Sequence, residues 1–181
     1  MTDEESYRLY LEGDETGLEQ LMERYGTPLT LYINGYLQDE HEAEELMIDA
    51  MAYLLVKKPR IRDGGLKAYL YKSARHLALR RKSRRVRCFR LDELPAETMG
   101  TECTDRAVHT GERNRALHLC MQQLNPQYRE ALYLTYFAGM SYAQAAQVMD
   151  KNEKQISNMV YRGKKSLREL LRKEGITHAE E

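Results

Sequence analysis

Between Lys154 and Lys165 the chain sets Gln155, Ser157, Asn158, Tyr161 and Arg162 among Lys154, Lys164 and Lys165. That inventory suits one chemistry, hydrogen bonding to nucleic-acid bases and phosphates. Arginine pairs bidentately with guanine, and asparagine or glutamine with adenine, each pair worth about 1–3 kcal/mol of discrimination. Lys164 and Lys165 suit phosphates, which set register without reading sequence. Arg162, Asn158 and Gln155 carry the groups for such pairs. Ser157 has filler as its alternative role, and Tyr161 has packing on its own helix.

A second chemistry lies upstream. Residues 57–90 carry fourteen Lys/Arg against the single Asp63, in a chain whose 28 basic and 28 acidic residues cancel. Clustering so much like charge opposes folding, whereas counterion release rewards a polyanion partner. Separated strands need phosphate neutralisation and planar groups on which exposed bases stack. Lys58, Arg60, Arg62 and Lys67, then Lys72, Arg75, Arg80 and Arg81, supply the first, with Lys57 beside them. Tyr71 is the candidate for the second, with an interior place as its alternative. Tyr69 lies on an apolar stripe and is assigned to the interior. Residues 1–56 hold fourteen acids against Arg8 and Arg24. They point either to a basic partner or to shielding of the cations within the chain.

Other chemistries find no residues. Cys88, Cys103 and Cys120 lack C-x-x-C spacing, which predicts reduced thiols in a cytoplasm. His41, His76, His109, His118 and His178 have no metal-ligand spacing. His118 and Cys120, two apart, point to different helix faces. No nucleophile–base pair or phosphate loop is seen, so neither an enzyme, a cofactor nor a metal is expected. No apolar run approaches a membrane span, and the acidic N-terminus is unlike a signal peptide.

The elements that must position these residues are all helices, since apolar residues recur at three and four and strand alternation is nowhere sustained. The 181 residues, 42% of them hydrophobic, suffice for small helical cores. A first helix covers about Glu4 to Glu12. Asp14 caps a second that stops at Gly26, and Thr27-Pro28 starts a third. Asp39 with Glu42 starts a fourth, whose stripe is Ala43, Leu46, Met47, Ala50, Met51, Leu54 and Leu55. A fifth runs from Leu66 towards Arg87, and a sixth from Glu112 to Leu124. Asn125-Pro126 opens a helix that stops at Gly139. Ser141 with Gln144, and Asn152 with Gln155, have capping-box spacing. They open a short helix to Met149, whose Ala143, Ala145 and Ala146 allow close packing, and a long one to about Lys173. Ile156, Met159, Val160 and Leu167 face inward on the latter. Two helices joined by so short a turn form a helix-turn-helix, whose second helix enters the major groove. Periodicity fails between 91 and 111, where Pro95, Gly100 and Gly111 mark a flexible linker. Two small helical domains, 1–90 and 112–175, are expected on either side.

Four stretches in this order resemble the sigma factors of bacterial RNA polymerase, in particular a divergent member of the extracytoplasmic-function group. GDETGLEQLMERY, from Gly13, is similar to the family's G-D-x-x-(A/G)-(F/L)-x-x-L-x-x-x-Y. EAEELMIDAMAYLL resembles the stretch that binds the polymerase clamp. LKAYLYKSARHLALRRKSRR resembles the helix that melts and reads the −10 element. The run from Leu124 to Leu171 resembles the reader of the −35 element. Departures include Ile48 for Gln, Met51 for Phe, Tyr69 for Trp, His76 for Asn, and Asp150-Lys151 for Gly and an apolar residue.

The resemblance implies a sigma factor that directs core polymerase to a two-part promoter and aids transcription initiation, without catalysis of its own. Residues 1–90 would be region 2 and residues 112–175 region 4. Glu44, Glu45 and Asp49 would meet the clamp of the largest subunits beside Met47, Ile48 and Met51, and the polymerase flap would be a further contact. The apolar stripe favours the core over the interface for Met47 and Met51. The loop from Lys58 to Gly65 would capture an unstacked −10 base. Ser157, Asn158, Tyr161 and Arg162 would face −35 base edges, with Arg162 and Asn158 leading for specificity. The acidic residues of the linker would thread near the RNA exit path or serve as a plain tether. The family is commonly held inactive by an anti-sigma protein, though no residue here identifies one. Two other readings stand beside this one: a helix-turn-helix regulator acting without polymerase, and a helical protein-binding adaptor.

Overall fold

The computed structural model describes residues 1–91 and 112–175, and every regular element among them is helical. Most of the expected linker, residues 92–111, lies outside the described residues. The chain divides into two compact units, Met1–Cys103 and Thr104–Glu181.

The first unit holds α1 (Asp3–Leu11), α2 (Glu15–Leu37), α3 (Glu40–Lys57) and α4 (Leu66–Leu91). Thr2 and Glu5 close a capping box at the start of α1, and the Asp14 carboxylate accepts from Thr16 N at the start of α2. The expected break at Gly26 to Pro28 does not occur, and α2 runs through it as one helix of 23 residues. A proline inside a helix removes one hydrogen bond at a cost of roughly 3 kcal/mol. Here an apolar edge continues across the site through Leu21, Tyr25, Leu29, Tyr32 and Ile33, all buried. Burying such side chains is worth about 1.5–3 kcal/mol each, enough to outweigh the local signal.

Helix α1 lies against the start of α2, where Gly17 permits a backbone-to-backbone approach. A Cβ there would sit 2.2 Å from the Ser6 carbonyl oxygen and 2.7 Å from Tyr10 N. The Ser6 hydroxyl, on a buried residue, donates to Gln20 at 2.8 Å. Asp3 receives both Arg24 and the Tyr25 hydroxyl. Helix α3 begins with the Asp39 carboxylate accepting from Glu42 N at 3.0 Å. It ends at Lys58, whose left-handed backbone (φ 41°) closes the helix just before Pro59.

In the second unit are α5 (Glu112–Gln123), α6 (Pro126–Leu132), α7 (Tyr142–Met149) and α8 (Glu153–Lys173). The helix opened by Asn125 does not stay α to its end but widens into a π-helical turn over Tyr133–Phe137. There the Thr135 hydroxyl returns to the Ala131 carbonyl at 2.8 Å, a bond of the kind that bends helices. The wider turn buries Leu134 and leaves Tyr136 and Phe137 exposed, with Phe137 stacked on Tyr133 at 5.6 Å. Gly139 (φ 62°) then reverses the chain. Both capping boxes form, Ser141 with Gln144 and Asn152 with Gln155. Asp150, in the left-handed region (φ 53°), makes the turn between α7 and α8. Ala145 and Ala146 are buried as expected, but Ala143 is exposed, one residue off the packed edge.

Candidate nucleic-acid interface

On α8, Ile156, Val160 and Gly163 form the buried edge. A Cβ on Gly163 would lie 3.0 Å from Leu132 Cδ1 and 3.2 Å from Tyr128 Cβ, so this edge seats closely on α6. With that face fixed, helical geometry turns Lys154, Gln155, Ser157, Asn158, Tyr161, Arg162 and Lys165 outward, and all are exposed. Tyr161, 72% exposed, does not pack on its own helix. Lys164 differs from the rest. It is half-buried, with Nζ 4.7 Å from the centre of the Tyr136 ring, a cation–π contact worth about 0.5–1 kcal/mol at such a site. The π turn is what brings Tyr136 under it.

The cations of the first unit fall into two sets. Lys58, Arg60 and Arg62 on the α3–α4 loop are exposed, as is Arg80 on α4. Lys67, Lys72, Arg75 and Arg81 are half-buried along α4. Tyr71 is not available as a stacking platform. It is 2% exposed and packs against Tyr32 with ring centres 5.1 Å apart. The inner edge of α4 is Leu66, Leu70, Tyr71, Ala74 and Ala78, all buried, and Tyr69 is only half-buried. Tyr71 thus takes the interior place given as its alternative, against Tyr32 of α2, and Tyr69 is less enclosed than the stripe predicts.

Shielding within the chain is real at the far end of α4. Arg81 lies 3.6 Å from Glu42 and 3.8 Å from Glu45. Arg85 pairs with Glu42 at 2.5 Å and with Asp39 at 3.5 Å, and donates to the Leu37 carbonyl at 3.2 Å. Glu45 and Arg81, expected to meet different partners, therefore meet each other.

The outer face of α3 presents Glu44, Glu45, Ile48 and Asp49 to solvent. Met47 and Met51 do not belong to it. They are 9% and 2% exposed and fill the core beside Leu46, Ala50 and Leu54, so helical period overrides the motif at these positions. Two exposed residues on this helix were missed, Tyr53 and Val56. Both fall off the buried stripe at 100° per residue, which was the available signal.

Family models extend this geometry to known proteins. Sigma-70 region 2 matches residues 21–88, from within α2 to α4, and Sigma-70 region 4 matches residues 114–167, from α5 through most of α8. The chain belongs to the sigma-70 family. This sigma-70 chain is similar to the ECF RNA polymerase sigma factor BldN of Streptomyces coelicolor, with 30% identity over 168 residues. That similarity covers 88% of the chain but 62% of BldN, so the chain spans somewhat less than two thirds of that relative's length. Its fold is similar to the sigma factor RpoE solved in complex with the anti-sigma factor NepR from Bartonella quintana. The TM-score is 0.65 at 21% identity, covering 86% of this chain and 96% of that one. CnrH, solved in complex with the cytosolic domain of CnrY, gives a TM-score of 0.65 at 18% identity, covering 94% and 97%. Helix α1 precedes the region 2 match altogether. Among the described residues no helix is long and apolar enough to cross a membrane.

Proposed function

We propose that this protein is a promoter-specificity factor of the extracytoplasmic-function group, acting in the cytoplasm with core RNA polymerase and without catalysis of its own. The first unit acts as region 2: Glu44, Glu45, Ile48 and Asp49 dock on the basic clamp of the largest subunits. The α3–α4 loop and α4 take the −10 strand. The second unit acts as region 4 and reads the −35 element, with contact to the polymerase flap as a further role. Arg162 and Asn158 contact base edges; Lys154, Gln155, Ser157, Tyr161 and Lys165 line the adjoining groove and backbone. Lys164, beside the Tyr136 ring, holds a phosphate. An anti-sigma protein is a natural further partner, by likeness to the RpoE complex with NepR.

One observation carries this reading. An exposed polar and basic face on α8 and an oppositely charged α3/α4 pair occur in a single chain whose residues 21–88 and 114–167 match regions 2 and 4. A regulator that works alone has no use for the exposed acidic face of α3. Run-off transcription with bacterial core enzyme on a promoter library, with and without the protein, tests it. Template-specific transcripts that depend on the added chain are expected. Normal duplex footprints without core enzyme, and no such transcripts with it, would favour the lone regulator.

A further inference from the structure

The α3–α4 loop is held from outside by a helix that the family match does not include. Pro59 follows the end of α3, and a proline has no N–H to give the carbonyl four residues back. That carbonyl belongs to Leu55, in the last turn, where helix carbonyls lack partners of their own. The Tyr10 hydroxyl of α1 supplies the donor at 3.5 Å, and the Lys58 ammonium sits 5.5 Å from the centre of the same ring. One turn earlier on α1, the buried Tyr7 gives its hydroxyl to the Pro59 carbonyl at 3.1 Å, across 52 residues of sequence. One turn earlier again, Glu4 accepts the Gly64 N–H at 2.6 Å. Gly64 has a φ of 76°, and beside it Gly65 N bonds back to Arg62 O at 2.9 Å, closing the far end of the loop. Arg60, Ile61 and Arg62 are thus strung between two points that α1 fixes. Helix α1 is in turn seated on α2 through Gly17, the Ser6–Gln20 bond and Asp3.

We infer that α1 is a brace that sets the shape of this loop before a DNA strand arrives, with Glu4, Tyr7 and Tyr10 as positioning residues for promoter opening. None of the three needs to touch DNA. They hold the backbone that carries the exposed Arg60 and Arg62, so the cost of ordering the loop falls on folding rather than on binding. The inference rests on the promoter-reading role proposed above and adds a determinant that lies before the family-matched span.

The test uses the full chain with core polymerase and compares wild type with Tyr7→Phe/Tyr10→Phe and with Glu4→Ala, which removes the acceptor for Gly64 N–H. Phenylalanine keeps both rings and deletes only the hydroxyls. Four quantities are measured: hydrogen exchange of the loop amides, affinity for core enzyme, affinity of the holoenzyme for a forked template with a single-stranded −10 segment, and affinity for a −35 duplex. Faster loop exchange is expected, with fork affinity lowered roughly three- to tenfold, the scale of one net hydrogen bond. Core and −35 affinities should stay within about twofold of wild type, inside the scatter of a surface substitution. Unchanged loop exchange overturns the brace, as does faster exchange with unchanged fork affinity. A parallel fall in all three affinities shows mere scaffolding and also overturns it. A wild-type chain that ignores core enzyme and fork sinks the proposed function instead, and the strand-positioning role with it, while the exchange data still report whether α1 orders the loop.

Discussion

Replacing Gly17 by alanine tests how firmly α1 is seated. The new Cβ would lie 2.2 Å from the Ser6 carbonyl oxygen, 2.7 Å from Tyr10 N and 3.0 Å from Leu9 Cβ. Non-bonded heavy atoms prefer about 3.5–4.0 Å, so α1 must withdraw by roughly 1 Å. Two of the three obstructing atoms are backbone, and no change of rotamer relieves them. Overpacking of this kind costs about 1–3 kcal/mol, while the helix propensity gained by removing a glycine returns up to about 1 kcal/mol. A 2.2 Å approach to backbone puts the cost in the upper part of that range, so the net loss is about 1–2 kcal/mol and lowers the midpoint of a unit this size by roughly 5–15 °C. Thermal unfolding of the full chain, followed by hydrogen exchange resolved to residues 1–91, reads the effect on this unit. Gly35→Ala is the control. It lies in the same helix with nothing within 4 Å of the added carbon, and it should stabilise by about 0.5–1 kcal/mol. An unchanged or raised midpoint for Gly17→Ala, with α1 amides protected as in wild type, would refute the close approach.

Other perturbations separate reading, packing and charge. Arg162→Ala should weaken binding to a −35 duplex by about 5- to 150-fold, from 1–3 kcal/mol per bidentate contact, and leave core affinity intact in a pull-down; equal loss of both would contradict the assignment of α8. Tyr71→Ala should cost about 3–5 kcal/mol in urea unfolding, as for other large core rings, whereas a DNA-stacking residue would lose strand affinity with stability kept. Asn152→Ala removes one half of the α8 capping box and should cost about 1 kcal/mol of stability in the second unit. Acid should loosen the starts of α1 and α2. The Thr2 backbone amide and hydroxyl hold the Glu5 carboxyl below its usual range, and the Thr16 hydroxyl and amide do the same for Asp14. A lowered folded pKa stabilises above the unfolded value and ceases to as pH falls through the folded one, so the loss lies below about pH 4. Carboxyl NMR titrations with midpoints at ordinary values would refute it.

Helix starts were legible wherever a capping side chain precedes an apolar stripe. Asp39, Ser141 and Asn152 each cap the helix they announce, because the donors they satisfy are only three residues away. The outward face of α8 was legible for the same local reason, once Ile156 and Val160 were given the inside. Signals that tertiary contacts override were not. Thr27-Pro28 reads as a start, yet the stripe crossing it decides. Tyr69 and Tyr71 are two positions apart, and only Tyr32, about forty residues upstream, settles which is inside. The clamp motif offered Met47 and Met51 as contacts, but the period that favoured the core for both decides. The tethers from Tyr7 to Pro59 and from Glu4 to Gly64 join residues far apart in the chain, and no local pattern marks either end.

The acids of α3 and the arginines of α4 share one network, so whatever engages one surface taxes or relieves the other. A phosphate that claims Arg81 must take it from Glu42 and Glu45, and a basic partner that claims Glu45 loosens Arg81 for the phosphate. Linkage makes the two assistances equal. Half-exposed pairs are worth about 0–1 kcal/mol, so the mutual gain is at most about fivefold. Added salt should erase it, since both the pairs and their replacements are screened.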